Sequence, residues 1–316
     1  MNLYKINICP SGGFYSQIKG DMLFGMFCWA IAENSGKDKL RQYLEGYTNN
    51  QPFIVFSDAF PMGYLPKPTL PFTYYQNKAE EDDNTGNAVR KRKEFKRKNW
   101  IKAEKIGLPT TEMADCFEEV SYKNKFLKTS VHLDPIAHHT TGGEYSAYTA
   151  ELLTYTGELC IYVLIDETRI TTQEARQILA KVGQSGYGKK SSSGNGKFEL
   201  SSDFELINLD YKQVQSCLTL APCVPQTDVF NANKSFYHIF VRFGRHGNVL
   251  SKSPCPFKKP VMTADAGAVF SLAQPTDDIK FIGQGITGIS QVLPETVFQG
   301  YAPIIPLHLK EVENGK

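Results

Sequence analysis

The chain opens on an alternation. Over residues 3–9, Tyr4, Ile6 and Ile8 fall on one side and Lys5 and Asn7 on the other, the period of a half-buried strand. SGG at 11–13 breaks it. Leu23, Met26, Phe27, Ala30 and Ile31 then follow helical spacing, with Met22 and Phe24 widening the apolar face. Asp21 is placed to cap that helix, which the pattern carries through Glu33. PFIVFSDAF at 52–60 predicts a second strand, whereas the four prolines of PMGYLPKPTLPF at 61–72 predict an extended, rigid segment. LCIYVLID at 159–166 predicts a third strand. Thr171 and Glu174 have capping-box spacing, Ala175, Ile178, Leu179 and Val182 form the stripe of a second helix, and Gly183 suits its end. Strand character returns at 197–200 and 204–209. The order is βαββαβ with an insertion after the second strand, the ferredoxin-like arrangement. Beyond about residue 208 strands dominate: FYHIFVRF at 236–243 sets Tyr237, Ile239, Val241 and Phe243 on one face and His238 and Arg242 on the other.

Composition bounds this picture. Of 316 residues, 41% are hydrophobic and 12% aromatic, enough for a sizeable core and for two domains of ordinary size. No apolar run has the length of a membrane span, and MNLYKINICPSGG lacks a signal-peptide pattern. The expectation is a cytoplasmic protein with no membrane partner. Seven dispersed cysteines without a CxxC argue against a disulfide framework and a zinc site, so no metal or cofactor is expected. The net charge of +2 excludes nothing. Its distribution is more telling: EEDD at 80–83 precedes RKRKEFKRKNWIKAEK at 90–105. Segregated blocks predict a solvated or disordered insertion, spanning about 76–125, whose basic part can become ordered on a phosphate backbone.

Between the second helix and the last strand lies GQSGYGKKSSSGNGKFEL at 183–200, with five glycines, three lysines and four serines. A nucleotide-binding P-loop does not fit. Position 190 is Lys where Ser or Thr is needed, and a P-loop opens a helix, whereas here a helix precedes and a strand follows. Two readings remain. One is a long flexible connection. The other, favoured by the position in the βαββαβ unit, is a cradle for a phosphate backbone. Gly186, Gly188, Gly194 and Gly196 would let main-chain N–H groups approach an anion, Lys189, Lys190 and Lys197 would supply charge, and Ser191, Ser192 and Ser193 hydroxyl donors.

This loop resembles the signature of the RAMP superfamily of CRISPR proteins, and GDMLFGMFCWAI at 20–31 resembles that family's early helix. SDAFPMGYLPKP at 57–68, FLKTSVHLDPIAHHTTGGEYS at 126–146 and the closing GITGISQV and GYAPIIPL resemble one branch, the fourth Csm subunit of type III-A effector complexes. The resemblance implies an α+β chain of two ferredoxin-like, RRM-like domains at 1–207 and 208–316, the second degenerate. It implies a non-catalytic subunit that holds the 5′ repeat-derived tag of the crRNA and docks the large polymerase-like subunit and a backbone-filament subunit. Target choice would be left to base pairing by the guide. The 76–125 insertion matches nothing in the family.

Other candidates follow. Lys128, Thr129, Ser130 and His132, then His138, His139 and Thr140, lie in a central segment at 128–145 able to shape the tag. A related branch of the superfamily cleaves crRNA precursors with a histidine and no metal, so the enzyme alternative is a metal-independent endoribonuclease using His138 or His139. No second catalytic group is paired with either histidine in the sequence, and no carboxylates have two-metal spacing. GQGITGIS at 283–290 offers a second small loop, in which Gly283, Gly285 and Gly288 permit close approach and Thr287 and Ser290 can hydrogen-bond; tight packing between domains is the competing reading. Lys19, at the first strand-to-helix turn, is placed to reach RNA. A third possibility is a protein scaffold without RNA contact.

Overall fold

The computed structural model describes residues 1–76, 86–131, 139–140, 147–226 and 229–309. The opening alternation is strand β1 (Asn2–Ser11), with Leu3, Tyr4, Ile6 and Ile8 buried. Helices α1 (Gly20–Ser35) and α2 (Lys37–Leu44) lead to β2 (Ile54–Pro61), which is buried along its whole length. After a long insertion come β8 (Leu159–Ile165), α5 (Thr172–Ser185), β9 (Lys197–Leu200) and β10 (Glu205–Leu206). The hydroxyl of Thr171 accepts the Glu174 N–H at 3.1 Å, as the capping spacing requires. The four-strand path runs β10-β1-β8-β2, with β9 pairing the far end of β1 beside β10. Every pairing is antiparallel. The βαββαβ order expected from the pattern is thus present in residues 2–206. Asp21 is not the cap of α1: that position is Lys19, without a side-chain cap, and the Asp21 carboxylate is committed elsewhere.

Between β2 and β8 lie β3 (Tyr64–Pro66), α3 (Gly86–Arg97), β4 (Trp100–Lys102), α4 (Thr110–Met113), β5 (Phe117–Glu118), β6 (Lys123–Val131) and β7 (Ala147–Tyr155), of which α3, β4, α4 and β5 belong to the 76–125 insertion. Its described part is not a solvated excursion. β3, β4 and β5 form a small sheet, and Tyr75, Ile101, Met113 and Phe117 are buried in the main core. Phe95 of α3 packs against Phe72, Tyr75 and Phe117 with ring centroids 5.0–5.5 Å apart. A few aromatic anchors outweigh the charge of the segment, because each removes a large apolar area from water.

The second half is built of strands: β11 (Val214–Thr219), β12 (Ile239–Arg242), β13 (Val261–Ala264), β14 (Val269–Thr276), β15 (Phe281–Gly283) and β16 (Tyr301–Pro306). Four form an antiparallel sheet in the order β14-β11-β16-β15, and β12 pairs with β13. Among the described residues no α-helix follows α5. The two halves share one core, in which Leu218, Leu220, Val269, Tyr301 and Ile305 join the side chains of the first sheet. The outer edge of β2 is paired by groups from outside its sheet. Gln299 accepts the Phe56 N–H at 2.9 Å and donates to the Phe56 carbonyl at 2.8 Å, and the Asp58 N–H donates to the Leu220 carbonyl at 2.8 Å. A bulge between Phe56 and Ala59 interrupts the β2–β8 register and turns Asp58 out of the ladder.

Candidate nucleic-acid interface

The glycine loop is ordered by its own chemistry. Gly186, Gly188, Gly194 and Gly196 all have positive φ, and Lys190 joins them at 60°. Tyr187 points inward and is fully buried. Its hydroxyl accepts the Lys19 N–H at 2.9 Å and donates to the Gln17 carbonyl at 3.0 Å. Its own N–H donates to the Gly196 carbonyl at 2.7 Å, and the Gly196 N–H donates to Gly13 at 2.9 Å. This corrects one expectation. The N–H groups of Gly186, Gly188, Gly194 and Gly196 are spent on Val182, Met26, Ser191 and Gly13, so these glycines shape the loop rather than donate to an anion. Lys190, in the left-handed conformation, precedes the 3-10 turn Ser191–Ser193. Lys189, Ser192, Ser193 and Lys197 are exposed around it.

The structure adds a second wall. β6 and β7 pair from Lys123↔Tyr155 to Val131↔Ala147. The Lys190 ammonium lies 4.4 Å from the Tyr15 ring centroid and 4.9 Å from that of Tyr148, which tells which hairpin face meets the loop. Tyr148 pairs with Ser130, and alternation puts Phe126, Lys128 and Ser130 on that face and Thr129 on the other. Lysines on loop and hairpin, aromatic rings and hydroxyls therefore share one surface, with Phe126 53% exposed on it. Base stacking on rings and phosphate contacts to lysines are the interactions a single strand of RNA uses. His139 and Thr140 are exposed; His132 and His138 lie outside the described residues. Of the central segment at 128–145, residues 128–131 lie on β6, and the rest apart from His139 and Thr140 lies outside the described residues.

Lys19 is placed differently from the expectation. It is 8% exposed, and its ammonium lies 3.0 Å from Asp58 and 2.6 Å from Asp265, over the Phe240 ring. It joins the first half to the turn between β13 and β14 and has no free reach to solvent. Beside it Arg242 donates to Asp21, one contact at 2.8 Å. Burial alone would lower Lys19, but the charges of Asp58 and Asp265 and their hydrogen bonds outweigh it and hold the ammonium well above the ordinary lysine range. Burial pushes Asp58 up to about 6, with Lys19 and the Gly20 N–H offsetting part of the effect. The folded chain then binds a proton at Asp58 more tightly than the unfolded chain does. This contribution to stability is full below the unfolded value near 3.8 and is lost as pH rises through about 6. Asp58→Asn is expected to flatten the dependence of the urea midpoint on pH between about 4 and 6; an unchanged slope would remove Asp58 as its source.

The 283–290 segment also turns inward. A side chain at Gly285 would meet the Tyr47 carbonyl at 2.7 Å, and one at Gly283 the Gly300 carbonyl at 2.1 Å. Ser290 is buried, shares a 2.7 Å hydrogen bond with His246 Nε2 and accepts the Leu293 N–H. Gly285 packs against the first half, in agreement with the packing alternative, while Gly283 and Ser290 pack within the second half; Thr287 and Gly288 remain exposed. Among the described residues no group of three His, Cys, Asp or Glu side chains is placed to hold a metal, and no helix is long and apolar enough to cross a membrane.

No family model matches the chain, and no curated protein matches it in sequence. Solved structures match its fold. A chain of a Csm1–Csm4 cassette in complex with cA4 has 14% identity and a TM-score of 0.61, covering 99% of this chain and 100% of its own. A cassette in complex with pppApA gives 16% and 0.57 at the same coverage. A chain of a Csm3–Csm4 subcomplex of the type III-A CRISPR-Cas interference complex gives 13% and 0.57, covering 97% of this chain and 99% of its own. The component common to these assemblies is Csm4. At such identities the likeness is one of fold, and the chain has the fold of Csm4, in agreement with the branch that its sequence resembles.

Proposed function

We propose that the chain is a non-catalytic, cytoplasmic crRNA-binding subunit of a type III-A CRISPR effector complex. It holds the 5′ repeat-derived tag and docks the large polymerase-like subunit and a backbone-filament subunit. In this reading residues 1–207 and 208–316 are two ferredoxin-like domains, the second reduced to strands. The observation that carries it is the shared surface of Lys190, Tyr15 and Tyr148, where the glycine loop meets the β6–β7 hairpin. The tag's phosphates run along Lys189, Lys190, Lys197 and Lys128, with the hydroxyls of Ser192 and Ser193 beside them, and its bases reach the exposed rings. Docking is supported by a second feature: Ile239, Phe243, Phe257 and Met262 are each 66–75% exposed on and beside the β12–β13 pair, and clustered exposed apolar side chains mark interaction surfaces. The neighbours in fold are assembled with Csm1 in one case and Csm3 in the other, which supports the two partners named.

The test is binding of an end-labelled repeat RNA in EDTA, with a parallel gel for chain cleavage. Changing Lys189, Lys190 and Lys197 to Ala is expected to weaken retention and to reduce the log–log salt slope by about 2, near 0.7 for each phosphate no longer neutralised. Unchanged retention and slope would sink the tag surface. Cleavage at one position, abolished by His138→Ala with His139→Ala, would instead make the chain a processing nuclease.

A further inference from the structure

The charged insertion carries a second basic surface that the glycine loop does not use. Helix α3 is held to the body by its inner side. Phe95 enters the aromatic cluster, Arg92 lies over the Phe72 ring, and the Phe95 carbonyl accepts from Lys67 Nζ at 2.7 Å. Lys93, Lys96 and Arg97 are thereby left exposed on a fixed support. Immediately after the helix the chain enters a groove of about 950 Å³ between the proline-rich segment and the second half. Asn99, Trp100, Phe236, Tyr237 and His238 are among its walls, and among the described residues none that lines it is a carboxylate. Tyr237 stacks on Phe270, with centroids 5.6 Å apart, and remains 45% exposed. Lys67, at the groove's edge, sits beside Lys98; burial and that second charge bring its ammonium down to about 8.

Exposed basic side chains, interrupted only by Glu94, lead from α3 toward a groove whose described lining is aromatic and free of carboxylates, and this combination matches one ligand chemistry. Phosphates follow the cations while unpaired bases stack in the groove. An acidic protein surface would use the cations but would leave the rings without a function. We propose that α3 and this groove form a second contact for single-stranded RNA, separate from the tag surface and resting on the proposed RNA-binding role.

The probe is a short fluorescein-labelled oligouridine without repeat sequence, titrated into the full chain by anisotropy. The joint variant Lys93→Ala, Lys96→Ala, Arg97→Ala alters only exposed side chains. It is expected to weaken binding roughly tenfold and to lower the salt slope by about 2. Tyr237→Ala is expected to weaken binding about fivefold or more with little change of slope. Photocrosslinks from 4-thiouridine should fall on peptides around residues 92–100 and 236–238. An α3 variant that binds within about twofold of the parent, or crosslinks confined to the glycine loop, overturns the inference. So does unchanged RNA affinity with loss of a partner subunit from the assembled complex, which would give the helix to an acidic protein. The Lys189, Lys190 and Lys197 variant separates the two surfaces. If it loses repeat RNA and the α3 variant binds normally, the tag reading stands and this one fails. If it keeps repeat RNA and the α3 variant loses oligouridine, the tag reading fails and the second contact stands.

Discussion

Replacing Lys19 with methionine is expected to destabilise the chain by roughly 3–5 kcal/mol, because it strands a buried carboxylate rather than because it loses an attractive pair. Asp58 is 3% exposed and, among the described residues, keeps only the Gly20 N–H as a donor once the ammonium is gone. Asp265, across the boundary between the halves, loses the same partner. The control is the combination of Lys19→Met with Asp58→Asn. Removing the orphaned charge is expected to recover a large part of the loss, and the coupling read from a double-mutant cycle should exceed about 1 kcal/mol. Urea unfolding measures both. A single variant within about 1 kcal/mol of the parent would show that the cluster is hydrated and not a joint of the fold.

The second large effect is expected at Gly196. Its φ is +75°, and a Cβ there would lie 2.1 Å from the Tyr187 carbonyl oxygen. Backbone, not a movable side chain, is in the way. Gly196→Ala is expected to cost more than about 2 kcal/mol and to release Tyr187 from its place beneath Lys19. Gly194 supplies the comparison: φ is +79°, but nothing lies within 4 Å of a Cβ. Gly194→Ala should cost about 1 kcal/mol, the strain of the left-handed backbone alone. RNA retention should fall with the first substitution and persist with the second. Equal effects on stability and retention would mean that the loop is not held as a rigid turn.

These two sites mark what the sequence can show. β1, α1, β2, β8 and α5 are legible because each buries one face or both, and burial writes a period into the chain. The glycine loop is legible as a special backbone, but the direction of its N–H groups is not; that depends on Gly13, Ser16 and Met26, about 160–185 positions away in sequence. Lys19 reads as a cation at a turn because its partner Asp265 lies 246 positions on. The insertion reads as solvated because seven of the nine residues at 90–98 are basic, while one phenylalanine, Phe95, decides where the helix sits. Local composition reports the majority of side chains, and packing is settled by the few that are buried.

Gln299 also bears on how the two halves relate. Its amide offers β2 one donor and one acceptor, the pair a neighbouring strand would offer, and so ends the first sheet with a single side chain. A fragment stopping near residue 207 would lose that side chain and the Leu220 carbonyl together. It would present an unprotected hydrogen-bonding border, of the kind that recruits strands from other molecules. The second half thus serves the first as a guard against self-association, and the boundary between them is a poor place to divide the chain.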